Sequence, residues 1–78
     1  GLIMKLFNNK MQISVFFDRE NSEKTVEVGK NSSVKDLLSK MNVNPVTVIV
    51  SRDNNIITED EKVNDNDKIR LFSVISGG

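Results

Sequence analysis

The sequence predicts an α+β fold in which one short helix packs across a sheet of four to five strands. Three observations predict it. Several short segments alternate apolar with polar residues, one segment has apolar residues at helical spacing, and clusters of Asn, Asp, Ser and Gly separate these segments. With 78 residues, the chain has room for one domain.

The first two strands are expected to form an antiparallel hairpin. Residues 11–17 alternate as a strand does when it buries one face: Met11, Ile13, Val15 and Phe17 form one set, and Gln12, Ser14 and Phe16 form the other. Residues 18–22 are polar and typical of a turn. Residues 23–28 alternate again, with Val26 and Val28 as the apolar members.

The helix is the element that the pattern predicts most directly. Ser33 is the expected N-cap, and Asp36 stands three residues later, where a capping box usually has Glu or Gln. Asn42 is suited to a left-handed C-cap, and Pro45 prevents the helix from continuing. The apolar residues of the helix fall at i, i+3, i+4 and i+7 on one face and are expected to join the core: Val34, Leu37, Leu38 and Met41.

Three further strands are expected after the helix, over residues 46–50, 56–58 and 68–75. Turn-forming residues at 53–55 and 64–67 separate them, and an acidic loop, residues 59–61, leads to Val63.

Alternation in the third and last strands predicts which side chains face the core. Val46, Val48 and Val50 would point inward in the third strand, as would Ile69 and Leu71 in the last. If the two strands are neighbours, the remaining apolar residues form an exposed patch and a candidate partner-binding site: Ile49, Phe72 and Val74. The alternative is that they are ordinary exposed apolar residues.

Composition narrows the function. Eleven basic residues balance eleven acidic ones, whereas nucleic-acid binding normally requires a positive excess. The chain has no His, Cys, Tyr or Trp, which excludes a His-based triad and a thiolate metal site. We therefore expect a protein that is not itself an enzyme, with no catalytic residues, no metal site and no direct nucleic-acid partner.

The N-terminal residues bear on the cellular location of the protein and on the boundary of its domain. Residues 2–7 are apolar, but the segment is too short to span a bilayer and lacks a signal-peptide cleavage site. We expect a cytoplasmic monomer without a membrane partner. Residues 1–10 are expected to be an N-terminal extension, either loose or an extra edge strand, before a domain over residues 11–78.

The sequence finishes with Ser76, Gly77 and Gly78, directly after the last predicted strand. Glycine has no Cβ, so a Gly-Gly end is the narrowest that a peptide can present. Such an end can enter a channel and offer its carboxylate to a reagent inside. We expect Gly78 to be the working residue, with Gly77 and Ser76 as slender parts of the tail; the alternative is an inert, flexible end.

Specific residues resemble a known family. Leu71-Phe72, Val74-Ile75 and Gly77-Gly78 stand as they do in the C-terminus of ThiS/MoaD-type sulfur carriers, and Asn44-Pro45 resembles the segment after that family's helix. The resemblance covers residues 11–78 and implies the ubiquitin-like β-grasp fold, a mixed sheet with the first and last strands as central neighbours. Two features depart from it: the extension, and Asn66 where the turn before the last strand usually has glycine.

The resemblance also implies a chemistry. A ubiquitin-activating-type enzyme would use ATP to adenylate the Gly78 carboxylate, a persulfide-bearing protein would convert it to a thiocarboxylate, and an acceptor synthase would take the sulfur. The chain itself would bind no cofactor. Thiamine thiazole, molybdopterin and thiolated tRNA bases remain open as destinations, although the tail resembles the thiamine branch most.

Two alternative functions remain open. Small archaeal modifier proteins are related to these carriers and attach to lysines, so this chain is alternatively a modifier joined through Gly78. The third possibility is a non-catalytic interaction module with an inert tail.

Overall fold

The computed structural model describes residues 10–74. Within this range it contains one α-helix, one 3₁₀-helix and five strands: β1 (Lys10–Phe17), β2 (Ser22–Gly29), α1 (Val34–Lys40), the 3₁₀-helix (Pro45–Thr47), β3 (Val48–Arg52), β4 (Asn55–Ile57) and β5 (Lys68–Ser73). The predicted α+β class is confirmed. Lys10, assigned to the extension from sequence, is the first residue of β1; residues 1–9 lie outside the described range.

The five strands form one mixed sheet in the order β2-β1-β5-β3-β4. β1 and β5 run parallel, and the other neighbouring pairs are antiparallel. The first and last strands are therefore central neighbours, which confirms the predicted β-grasp arrangement. Alternation along β5 buries Ile69 and Leu71 and leaves Arg70 between them exposed, so one face of the sheet meets the helix and the other stays open.

The core lies between the sheet and α1. Each fully buried aliphatic side chain contributes roughly 1.5–3 kcal/mol relative to an exposed one. The buried residues of the described range are all apolar: Met11, Ile13, Val15, Val28, Val34, Leu37, Leu38, Val50, Val63, Ile69 and Leu71. Met41, the last residue of the predicted helical stripe, packs against this cluster while partly exposed.

Ser33 is the N-cap of α1, as predicted, whereas the C-cap is Met41 and the predicted left-handed residue, Asn42, directly follows it. The Asp36 N–H donates to Ser33 Oγ (3.3 Å), and the Ser33 N–H donates to Asp36 Oδ2 (2.9 Å), completing the capping box. The hydrogen bond from the Ser33 backbone, followed by that from its hydroxyl, lowers the pKa of Asp36 below its ordinary value. At the other end Asn42 has φ 62°. The N–H of Val43 donates to the Leu38 carbonyl (2.8 Å), as in a Schellman motif.

The loop after β4 docks on the start of the helix. The Val34 N–H donates to the Glu61 carbonyl (2.8 Å), so the loop accepts from a helix N–H that has no partner within α1. Arg52 fixes the loop from the other side. Its guanidinium donates to the Lys62 carbonyl (2.9 Å), to Asp67 Oδ2 (3.1 Å) and to Glu61 Oε2 (3.2 Å).

The prediction for residues 46–50 was partly wrong. β3 begins at Val48, and Val46 lies in the 3₁₀-helix with 79% of its surface exposed, whereas the sequence pattern placed it in the core. Asn44 Oδ1 accepts from the Val46 N–H (3.1 Å), and Pro45 holds the first helical position. This cap and the fixed φ of proline favour a helical turn over the strand that the valines prefer.

Residues with positive φ form the turns on the sheet. Asp53 and Asn54, with φ 53° and 67°, make the two-residue connection between β3 and β4. Asn66 has φ 68°, and its N–H donates to the Gln12 carbonyl (2.8 Å). Asparagine tolerates this region better than other residues with a Cβ, so it fits the place where glycine was expected.

Candidate functional site

The structure fixes the point from which the tail continues. β5 ends at Ser73, which pairs with Val48 of β3. The N–H of the next residue, Val74, donates to the Thr47 carbonyl (3.0 Å). Thr47 is itself held, because its hydroxyl donates to the Asn44 carbonyl (2.7 Å). The chain is therefore bonded to the body of the protein up to residue 74; Ser76, Gly77 and Gly78 lie outside the described residues.

Two predicted patch residues are direct neighbours on the open face. Ile49 and Phe72 are opposite each other in the β3–β5 pair. Ile49 is 40% exposed, Phe72 is half-buried, and Val74, two residues beyond Phe72, is 47% exposed. The structure pairs β3 with β5, which is the condition on which the predicted patch depended. The role of these three side chains in binding a partner stays a prediction.

Two further residues belong to this face that sequence reasoning did not single out, Phe16 and Arg70. They are opposite each other in the β1–β5 pair. The Arg70 guanidinium carbon lies 4.7 Å from the centroid of the Phe16 ring and 5.9 Å from that of Phe72, within the range of a cation–π interaction. Each alternates with the buried residues of its own strand, but only the register of β1 against β5 brings the two together.

The open face therefore combines an exposed cation with aromatic and aliphatic side chains. Such groups bind another protein surface by apolar burial and by charge-assisted hydrogen bonds. Within residues 10–74, no group of three or more His, Cys, Asp or Glu is placed to hold a metal ion. The same part of the chain contains no helix long and apolar enough to cross a bilayer.

Comparison with known proteins identifies the family to which the chain belongs. The sequence model of the ThiS family matches residues 5–78. The chain belongs to the ThiS family. It is 34% identical, over 55 residues, to the sulfur carrier protein TtuB of Thermus thermophilus, a stretch that covers 70% of this chain and 85% of that protein. The ThiS-family match includes the tail and also residues 5–9 of the predicted extension.

Solved structures support the fold. A ubiquitin from Caldiarchaeum subterraneum is similar with a TM-score of 0.67 and 22% identity, covering 88% of this chain and 99% of the other. A ubiquitin-like domain from Arabidopsis thaliana gives a TM-score of 0.70 at 17% identity, covering 92% of this chain and 85% of that one. At these identities the similarity shows a ubiquitin-like fold.

Proposed function

We propose that this ThiS-family protein is a sulfur carrier and that the Gly78 carboxylate becomes a thiocarboxylate, which requires a mature chain with Gly78 as its last residue. The observation that carries the proposal is the family match, which runs through residue 78 and so includes Gly77 and Gly78. The similarity to a protein named as a sulfur carrier supports it. So does the short path from Val74, bonded to Thr47, to the proposed reactive carbonyl.

The first step would be activation by a partner enzyme of the ubiquitin-activating type. A carboxylate is a poor acyl electrophile, because its charge is delocalised and its leaving group would be oxide. One oxygen of the Gly78 carboxylate attacks the α-phosphorus of ATP, and pyrophosphate leaves. The acyl-adenylate that results has AMP as a good leaving group. Gly77 and Gly78 present no side chain to the walls of the partner's channel.

The second step would bring in sulfur. A persulfide on a donor protein attacks the carbonyl carbon of Gly78 and expels AMP, which forms an acyl disulfide. A thiol then attacks the donor-side sulfur of that S–S bond, so the thiol is oxidised and the thiocarboxylate is released. The chain contains no Cys or His, and in this proposal the partners provide both the thiols and the proton transfers.

In this scheme the protein is a substrate and carrier, not an enzyme, and binds no cofactor of its own. It meets three kinds of partner in the cytoplasm: the ATP-dependent adenylating enzyme, the persulfide donor and the synthase that accepts the sulfur. Thiamine thiazole, molybdopterin and tRNA bases are the three candidate acceptors. Deleting the gene and testing which of the three products is lost identifies the acceptor.

Intact-mass and C-terminal peptide analysis of protein purified from its native host tests the proposal. We expect a chain ending at Gly78, part of it heavier by the mass difference between sulfur and oxygen. A variant lacking Gly77 and Gly78 should fold equally well and should never show that increase. The proposal fails if the mature chain continues past Gly78 or if the wild-type chain carries no sulfur under sulfur-replete conditions. Gly-Gly remnants on lysines of other proteins would instead identify a modifier.

A further inference from the structure

We infer that the open face of the sheet recognises its partner through a carboxylate that enters a depression beside Arg70. The inference rests on the proposed function, because the partner that it specifies is the adenylating enzyme. The depression lies on β1, β3 and β5 and has a volume of about 310 Å³. Ser14, Ser51, Lys68 and Arg70 line it.

The depression exists because two serines stand beside the long side chains of Lys68 and Arg70 on the open face. Arg70 pairs with Phe16 on one side and with Ser51 on the other, while Lys68 pairs with Ser14. The two serines leave space above the strands that larger side chains would fill. Their hydroxyls can also donate hydrogen bonds to an anion.

The two cations that face this space have side-chain N–H groups without a hydrogen-bond acceptor in the described part of the chain. Within residues 10–74, the Lys68 ammonium makes no hydrogen bond or ion pair, and Arg70 makes no hydrogen bond through its guanidinium. The ionic partner of Arg70 in this range is Asp18, at 3.8 Å and half exposed. The rings of Phe16 and Phe72 hold the guanidinium over the sheet, so little side-chain entropy remains to be lost when an anion binds.

A carboxylate of a protein fits this site better than a nucleic-acid phosphate. The planar fork of Arg70 matches a carboxylate in two parallel hydrogen bonds. Glu23 and Asp53 also line the depression and would repel a polyanion more strongly than the single charge of one Asp or Glu side chain. Ile49 and Phe72 lie directly beside Arg70 on the same face, so the partner must place apolar side chains around its acid.

The test measures KM for the carrier in ATP–pyrophosphate exchange by the adenylating enzyme of the native host. We expect Arg70→Met to raise KM about tenfold with little change in kcat, and Arg70→Glu to raise it further. Lys68→Met should have a smaller effect in the same direction. Lys24→Met is the matched control, because it also removes one exposed cation but pairs with buried Val15; its KM should equal that of the wild type.

Salt dependence and a second variant separate recognition from folding. The wild-type KM should rise between about 50 mM and about 300 mM KCl, and Arg70→Met should flatten that rise. Arg70→Lys keeps the charge without the fork and should give an intermediate KM at an unchanged melting temperature. Wild-type KM in Arg70→Met, or an equal loss in Lys24→Met, overturns the inference alone. An absence of exchange with the wild-type protein overturns the proposed function and this inference with it.

Discussion

Replacing Asn66 by alanine should destabilise the protein, whereas glycine at the same place should not. Asn66 has φ 68°, and its N–H donates to the Gln12 carbonyl at 2.8 Å, so the turn cannot relax without losing that bond. A residue with a Cβ pays roughly 1–2 kcal/mol in the left-handed region, and asparagine pays less than alanine there because its short polar side chain can bond locally. We therefore expect Asn66→Ala to lower the free energy of unfolding by about 1 kcal/mol.

Thermal and urea unfolding of the two variants measure this difference. For a domain of this size a loss of 1 kcal/mol corresponds to a melting temperature lower by roughly 4–8 °C. Asn66→Gly should stay within about 0.5 kcal/mol of the wild type, since glycine enters this region without steric cost. Thr58→Ala is the control, an exposed residue without positive φ. If alanine and glycine at position 66 give equal stabilities, backbone strain does not explain the choice of residue in this turn.

Three further predictions address the partner face, the loop anchor and the helix cap. Phe72→Ala and Ile49→Ala should weaken binding of the adenylating enzyme by about tenfold or more while costing only about 1 kcal/mol of stability; losses of stability large enough to account for the weaker binding would place them in the core. Arg52→Met should lower the free energy of unfolding by about 1–2 kcal/mol, and Glu61→Gln, which keeps the backbone carbonyl and removes one half-exposed charge, should cost clearly less; equal urea midpoints for the two would refute the anchor. The pKa of Asp36 is lowered in the folded state, so the stability that its carboxylate adds is complete above its unfolded pKa and is lost as pH falls through its folded pKa. The difference in urea midpoint between wild type and Asp36→Asn should therefore become smaller between neutral pH and about pH 3. A difference that does not change with pH would show that the Asp36 carboxylate does not stabilise the helix cap.

Local patterns predicted the elements of this fold and most of their faces. Period-two alternation identified β1, β2 and β5, and it placed Ile69 and Leu71 in the core, where both are almost fully buried. The cap residues Ser33 and Asn42 marked the ends of the helix. These features are local, since each depends on the bonds or the burial of a few consecutive residues. The parallel pairing of β1 with β5 came from family resemblance, because periodicity does not say which strands are neighbours.

Two features were not predicted from the sequence. One depends on competition between local conformational preferences, and the other depends on the register between two strands. Val46 is exposed because the cap at Asn44 and the ring of Pro45 outweigh strand propensity over three residues, and propensity alone gave no means of weighing the two. The contact of Phe16 with Arg70 was missed for a different reason. It exists only in one register of two strands that lie far apart in sequence, and a shift by one residue would turn every side chain to the other face.

One strand holds core residues, the side chains that we propose for partner recognition and the residue from which the tail continues. On β5, Ile69 and Leu71 lie in the core, while Arg70 and Phe72 alternate with them on the open face. Val74 follows two residues later and is bonded to the 3₁₀-helix. Because β5 is the central strand of the sheet, it is held by neighbours on both sides. If a partner binds Arg70 and Phe72 as proposed, it also holds Val74 in a defined position, and recognition of the face and presentation of the tail would then be one binding event.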